Sequence, residues 1–291
     1  IMEGNKYISS AIISENSKSY IRGDVSTADY VRGGGHGTRV AGAILYPNGI
    51  SNVSNPYQLP CYVRNLRVLN QDNKLTDKLP AQLMQEIISD NEDCRVFNLS
   101  VNSCLPSRIK HMSSWAATID TLINEKNILF LISAGNISIS DARGFGISHF
   151  IENGKNYPDY LNELYCRIAN PAQSSFAITV GSINHISIDN DEFQSLGNHN
   201  DISPFSRIGT GIWGMIKPDV VEYGGGLSIS KTGNIVSIKN ELSPELVRST
   251  LHGGSAIGND IVGTSFATPK VSYIVSQLLK LYPEENVNLL R

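Results

Sequence analysis

The 291-residue sequence predicts an α/β fold: three layers, doubly wound, with a mostly parallel sheet between helices on both faces. Three observations carry that expectation. Strand-like and helix-like patterns alternate along the chain, which implies parallel strands joined by helical crossovers. One strand-like run, Ile128-Leu129-Phe130-Leu131-Ile132, is apolar at every position, as a strand covered on both faces must be. Two glycine-containing loops lead straight into helical patterns, at Gly33-Gly34-Gly35-His36-Gly37 and at Gly263-Thr264-Ser265.

Taken in order, Asn65 to Leu69 reads as a short strand with Leu66 and Val68 on one side. From Leu79 to Asp90 the residues Leu79, Leu83, Met84, Ile87 and Ile88 recur at helical spacing. Val96 to Val101 is strand-like, and Trp115, Ile119, Leu122 and Ile123 mark the next helix. The Ile128 run follows, then a strand over Ala177 to Val180. The last strong helix starts near Thr264 and carries Val271, Ile274, Val275, Leu278 and Leu279 on its apolar side. Two long segments interrupt the alternation, Ile137 to Asn170 and Gly224 to Asp260, and are expected to run over the surface. The size fits one large domain over residues 1–291.

Hydrophobic residues make up 41% and charged residues 18%, a globular balance and not that of a disordered chain. With 24 Lys and Arg against 27 Asp and Glu, nothing points to a nucleic acid or an anionic membrane as partner. No apolar run is long enough to span a bilayer, and no signal-peptide pattern opens the sequence. Cys61, Cys94, Cys104 and Cys166 show no metal-type spacing, so free thiols in a reducing, cytoplasmic setting are expected. Cys104 is expected to act as a small buried hydrophobe.

Three stretches carry candidate chemistry. A serine hydroxyl needs a neighbouring base to take its proton, and the oxyanion that follows needs donors aimed at it. Ser265, His36 and Asn136 offer a nucleophile, a base and an amide donor. Each alone has an ordinary reading: Ser265 as a helix N-cap, His36 as a structural histidine in a turn, Asn136 as a turn residue. The histidine loop lacks the Lys-Ser/Thr of a phosphate-binding loop, and Ser265 lies outside any Gly-x-Ser-x-Gly elbow.

Together, His36-Gly37-Thr38-Arg39-Val40-Ala41-Gly42, Ser133-Ala134-Gly135-Asn136 and Gly263-Thr264-Ser265-Phe266-Ala267-Thr268-Pro269 resemble the signatures of subtilisin-like serine proteases, the subtilases. Asn98-Leu99-Ser100-Val101, Phe205-Ser206 and Lys217-Pro218-Asp219-Val220 match further landmarks of that family. The resemblance implies a serine endopeptidase acting on extended polypeptide through an acyl-enzyme. Ser265 would be the nucleophile and His36 the general base. Asn136 and the Ser265 N–H would form the oxyanion hole, and Ser100, Val101 and Asn102 would bind substrate backbone. It implies no organic cofactor, and no metal loop is legible. Arg39, Arg67-Val68-Leu69 and Arg207 bring the sequence nearest to bacterial subtilases encoded beside AAA-type ATPases, which makes such an ATPase a candidate partner.

Several positions depart from the family pattern. Asn102 stands where glycine is usual and is expected to narrow the cleft. Glu222-Tyr223 replaces the common Ala-Pro. The triad acid is the largest departure. Asp24 and Asp29 are the only Asp residues ahead of His36, and neither follows an apolar strand. Ile1 opens the sequence where an Asp-Ser/Thr-Gly motif would just have ended, so a chain cut inside its first core strand, and short at its C-terminus too, is expected. The rival reading is a protease-fold module that holds peptides without cutting them. The segment from Ile137 to Asn170 is expected to border the pocket for the residue before the cleaved bond.

Overall fold

A computed structural model describes residues 5–28, 35–75, 78–249, 255–259 and 261–291. In chain order the strands are β1 (Lys18–Ser19), β2 (Leu66–Arg67), β3 (Val96–Leu99), β4 (Leu129–Ser133), β5 (Ile178–Ile183), β6 (Phe193–Leu196), β7 (Gly209–Thr210), β8 (Ile216–Lys217), β9 (Val220–Tyr223), β10 (Leu227–Ser230), β11 (Val236–Ser237), β12 (Leu246–Val247) and β13 (Ile257–Gly258). The helices are α1 (His36–Leu45), α2 (Pro80–Asp90), α3 (Ser114–Glu125), α4 (Ile147–Glu152) and α5 (Thr264–Leu281).

The central sheet runs β3-β4-β5-β9 and all its pairings are parallel. Strand β4 shows why its sequence does not alternate. Phe130 and Ile132 turn to one face, where they pack with Leu83, Met84 and Ile87 of α2 and Trp115 and Ile119 of α3. Leu129 and Leu131 turn to the other face, against Ala267, Val271 and Val275 of α5. Both faces are dry, so Leu129 to Ile132 are apolar without a break. Each such buried large side chain contributes about 1.5–3 kcal/mol. Three layers, helix-sheet-helix, follow from this one strand.

Helix starts are set locally. Pro80 occupies the first turn of α2, where its missing N–H costs nothing. Ser113 caps α3 by accepting the Ala116 N–H at 3.1 Å. In their described parts the two long interruptions are not loose loops. Ile137, Ile147, Phe150 and Tyr160 from the first pack with Leu227, Ile229 and Val236 of an antiparallel sheet, β11-β10-β6. They form a second apolar cluster beside the main one.

Strands β1 and β2 pair parallel with each other and stand apart from the central sheet. Between β2 and β3 lies an open slot. It comprises two cavities of about 200 and 400 Å³, both lined by Asn65, Leu66, Phe97 and Asn98. Among the described residues, β2 has a strand partner only on its β1 side and β3 only on its β4 side.

Candidate active site

The N-terminus of α5 presents Ser265. Gly263 precedes the helix, and a Cβ there would lie 3.1 Å from Asn136 Nδ2, so the position suits glycine. Thr264 donates twice to Asn136 Oδ1, from its N–H at 2.9 Å and its hydroxyl at 3.0 Å. The N–H groups of a first helical turn have no partner within the helix. The Ser265 N–H has no acceptor among the described residues, and the helix dipole there favours negative charge.

Pro269 lies inside α5 and cannot donate to the carbonyl four residues back, that of Ser265. That carbonyl instead accepts the Ser100 hydroxyl at 3.2 Å. The contact is the end of a relay: Ser272 Oγ donates to Asn98 Oδ1, and Asn98 Nδ2 donates to Ser100 Oγ, both at 3.0 Å. The end of β3 is thereby fastened to the first turns of α5.

His36 is the first residue of α1 and follows Gly35, whose φ of 74° lies in the left-handed region that glycine tolerates. Its Nε2 lies 3.3 Å from the Ser100 carbonyl oxygen. The Ser265 hydroxyl donates to that same oxygen, also at 3.3 Å. Base and nucleophile thus meet at one acceptor, although no direct bond joins them. A carbonyl only accepts, so this contact requires the proton on Nε2. To act as a base, the ring must carry its proton on Nδ1 and turn Nε2 to Ser265. The imidazole rests near the Phe266 ring, 5.7 Å between centroids.

Asn136 lies just past β4, and its side chain is exposed. With Oδ1 occupied by Thr264, the amide orientation is set, and Nδ2 has no acceptor among the described residues. Gly135 before it has φ +98°, and a Cβ there would meet Ala169 Cβ at 2.6 Å and Arg207 Cδ at 2.9 Å. Two donors, Asn136 Nδ2 and the Ser265 N–H, are therefore held in place and uncommitted beside a hydroxyl and an imidazole.

The model of the subtilase family, Peptidase S8, matches residues 1–291. The chain belongs to the subtilase family. Among known proteins it is 32% identical over 228 residues to the uncharacterized protein y4bN of Sinorhizobium fredii (strain NBRC 101917 / NGR234), which covers 73% of this subtilase and 51% of the relative. The chain thus spans about half the length of that relative. Among solved structures, that of a cold adapted subtilisin-like serine proteinase superposes with a TM-score of 0.55 at 18% identity, covering 97% of this chain and 71% of the other. At that identity the likeness speaks for the fold.

Of the residues the subtilase resemblance singled out, His36, Ser100, Asn136 and Ser265 come together. Val101 turns toward the core cluster under β3, and Asn102 donates to Ser133 Oγ at 2.9 Å. Residues 100–102 pair with no strand among the described residues, and the Ser100 carbonyl is taken by His36 and Ser265. Asp24 is held by Arg67, which donates to it at 2.8 Å. Asp29 lies outside the described residues. Cys104 is exposed, contrary to the buried position expected of it, because the chain beyond Asn102 swings to the surface. All four thiols are free, and burial pushes that of Cys166 up to about 12. Among the described residues no cluster of three His, Cys, Asp or Glu could hold a metal, and no helix is long and apolar enough to cross a membrane.

Arg207, which in the sequence marks only the likeness to the ATPase-associated subtilases, has a structural place of its own. It is 1% exposed and surrounded by carbonyl oxygens.

Proposed function

We propose that this subtilase hydrolyses peptide bonds in extended polypeptides through an acyl-enzyme on Ser265. Ser265 Oγ attacks the carbonyl carbon and its proton passes to His36 Nε2. The oxyanion is held by Asn136 Nδ2 and the Ser265 N–H. Collapse breaks the C–N bond, the leaving amine takes the proton from His36, and water then cleaves the ester by the same route. The observation that carries this reading is the convergence of Ser265 and His36 on the Ser100 carbonyl beside two uncommitted donors.

The acid that sets the imidazole tautomer is read as lying on an extended segment in the slot between β2 and β3. Two strand edges facing one gap, with apolar Leu66, Phe97 and Leu99 along it, suit one inserted strand. The slot opens at His36, so an Asp at the end of that strand would reach the ring. The rival reading, a peptide-holding module without turnover, draws on one observation: the bond to Ser100 puts the proton on Nε2, which is not the tautomer of a base. Labelling of Ser265 by a fluorophosphonate, in a form of the protein that carries that acid, distinguishes the two. The protease labels and the Ser265→Ala variant does not, whereas a holding module stays unlabelled while folded.

A further inference from the structure

The side chain of Arg207 is among the largest that are fully buried, and it holds the loop that carries Asn136. Its own N–H donates to the Gly135 carbonyl at 3.0 Å, and its Nε donates to the Asn136 carbonyl, also at 3.0 Å. Both peptide units that flank the Asn136 N–H and C=O are therefore tied to one residue. Its Cδ fills the space beside Gly135 that a Cβ would need. That contact and the left-handed φ together keep the turn in one conformation.

The rest of the guanidinium reaches two other walls of the cleft. Nη2 donates to the Cys104 carbonyl at 3.0 Å, just beyond the Ser100–Asn102 segment. Nη1 donates to the Arg167 carbonyl at 3.0 Å and to that of Tyr165, in the stretch between Asn136 and β5. The Tyr165 ring lies 5.0 Å from the guanidinium carbon. A planar fork with five N–H donors can satisfy several carbonyls at fixed angles, which an ammonium on a flexible stem cannot.

Arg207 has no carboxylate within ion-pair distance among the described residues. A buried guanidinium without a counter-ion is costly, and burial accordingly pulls its pKa down. An apolar side chain in its place would leave the carbonyls of Cys104, Asn136, Tyr165 and Arg167 without this donor, so the fork is kept for the carbonyls it orients. The geometry that remains is one that orders Asn136.

We infer that Arg207 is a positioning residue that holds Asn136 in register, so that it governs turnover and not substrate affinity. The inference rests on the proposed protease reading. Arg207 touches neither the substrate nor the reacting atoms. Its effect passes through the Asn136 main chain to an amide that matters only once the oxyanion forms.

The test is a double-mutant cycle in the full-length protein, with kcat and KM measured on a peptide p-nitroanilide and active sites counted by fluorophosphonate titration. Arg207→Lys keeps the charge and loses the fork. It should lower kcat about tenfold or more while leaving KM within about twofold. Asn136→Ala should lower kcat further, and Arg207→Lys added to Asn136→Ala should cost little beyond it, because both changes remove one function. An unchanged kcat in Arg207→Lys, a loss confined to KM, or effects that multiply in the double variant would each overturn the inference. Should Arg207→Lys not fold, Arg207→Gln, whose amide can still reach a carbonyl, takes its place under the same criteria. A folded wild-type protein that neither labels nor cleaves removes the protease reading and the inference with it. A wild type that labels at Ser265 beside an Arg207→Lys of equal kcat removes the inference alone.

Discussion

The hydroxyl of Ser100 donates to the carbonyl of Ser265 at 3.2 Å, in the place that an N–H at position 269 would occupy if that residue were not proline. One residue thus serves both partners of the proposed reaction, its hydroxyl holding the main chain of Ser265 and its carbonyl receiving Ser265 Oγ and His36 Nε2. Ser100→Ala should lower kcat about three- to tenfold, the worth of one modest hydrogen bond, with the fold retained. Pro269→Ala returns an N–H to the Ser265 carbonyl and should recover part of that loss in the double variant. Steady-state kinetics on the four combinations checks both statements, and an inactive, folded Ser100→Ala/Pro269→Ala would contradict them.

The amide of Asn136 depends on Thr264 for its orientation. Asn136→Ala should reduce kcat by about 10²–10³, the range for loss of one oxyanion donor, with KM little changed. Thr264→Val removes one of the two bonds to Oδ1 and should give a smaller loss of the same kind. Equal losses in kcat and in affinity for both variants would point to a collapsed loop instead.

Gly135 combines a left-handed φ with two close neighbours, Ala169 Cβ and Arg207 Cδ. Gly135→Ala should destabilise the protein by about 1–3 kcal/mol through backbone strain alone, before any clash is counted. Gly154, also left-handed but with open space around it, should tolerate the same change better. Chemical denaturation of the two variants ranks them, and an equal cost at both positions would remove the packing argument.

His185 has its pKa lowered, chiefly by burial and also by Lys270 and His199, from the ordinary 6.5. Its unfolded form then binds more protons than its folded form at acid pH. Its contribution to stability is complete above about pH 6.5 and is lost as pH falls from there toward the depressed folded value. His185→Gln should flatten that part of the acid limb in thermal melts between pH 5 and 7. A variant profile parallel to the wild type across that interval would show that His185 does not titrate as described.

Much of this was legible in the sequence because periodicity and burial coincide. The apolar run in β4 is unbroken because α2, α3 and α5 cover it from both sides, and α2, α3 and α5 themselves were visible at helical spacing. His36 and Asn136 stood out because each directly follows a glycine, and Ser265 because it stands two residues after Gly263, all at element boundaries where catalytic groups can be presented. The role of Arg207 was not legible. Burial is atypical for arginine, and its partners are carbonyls from three distant segments that no spacing rule connects. The exposure of Cys104 was equally hidden, since it depends on where the chain turns after Asn102. The slot between β2 and β3 could be seen only once both strand edges were in place.

The central claim is that Ser265 becomes a nucleophile when His36 is held by an acid carried in that slot. The most direct measurement is fluorophosphonate labelling of residues 1–291 alone and of the same chain with an apolar strand ending in Asp fused ahead of Ile1. The account predicts slow or absent labelling of the first and labelling of the second at Ser265, abolished by Ser265→Ala and reduced about 10⁴-fold by changing the added Asp to Asn. A folded, extended chain that stays unlabelled and leaves varied peptides uncut would contradict it.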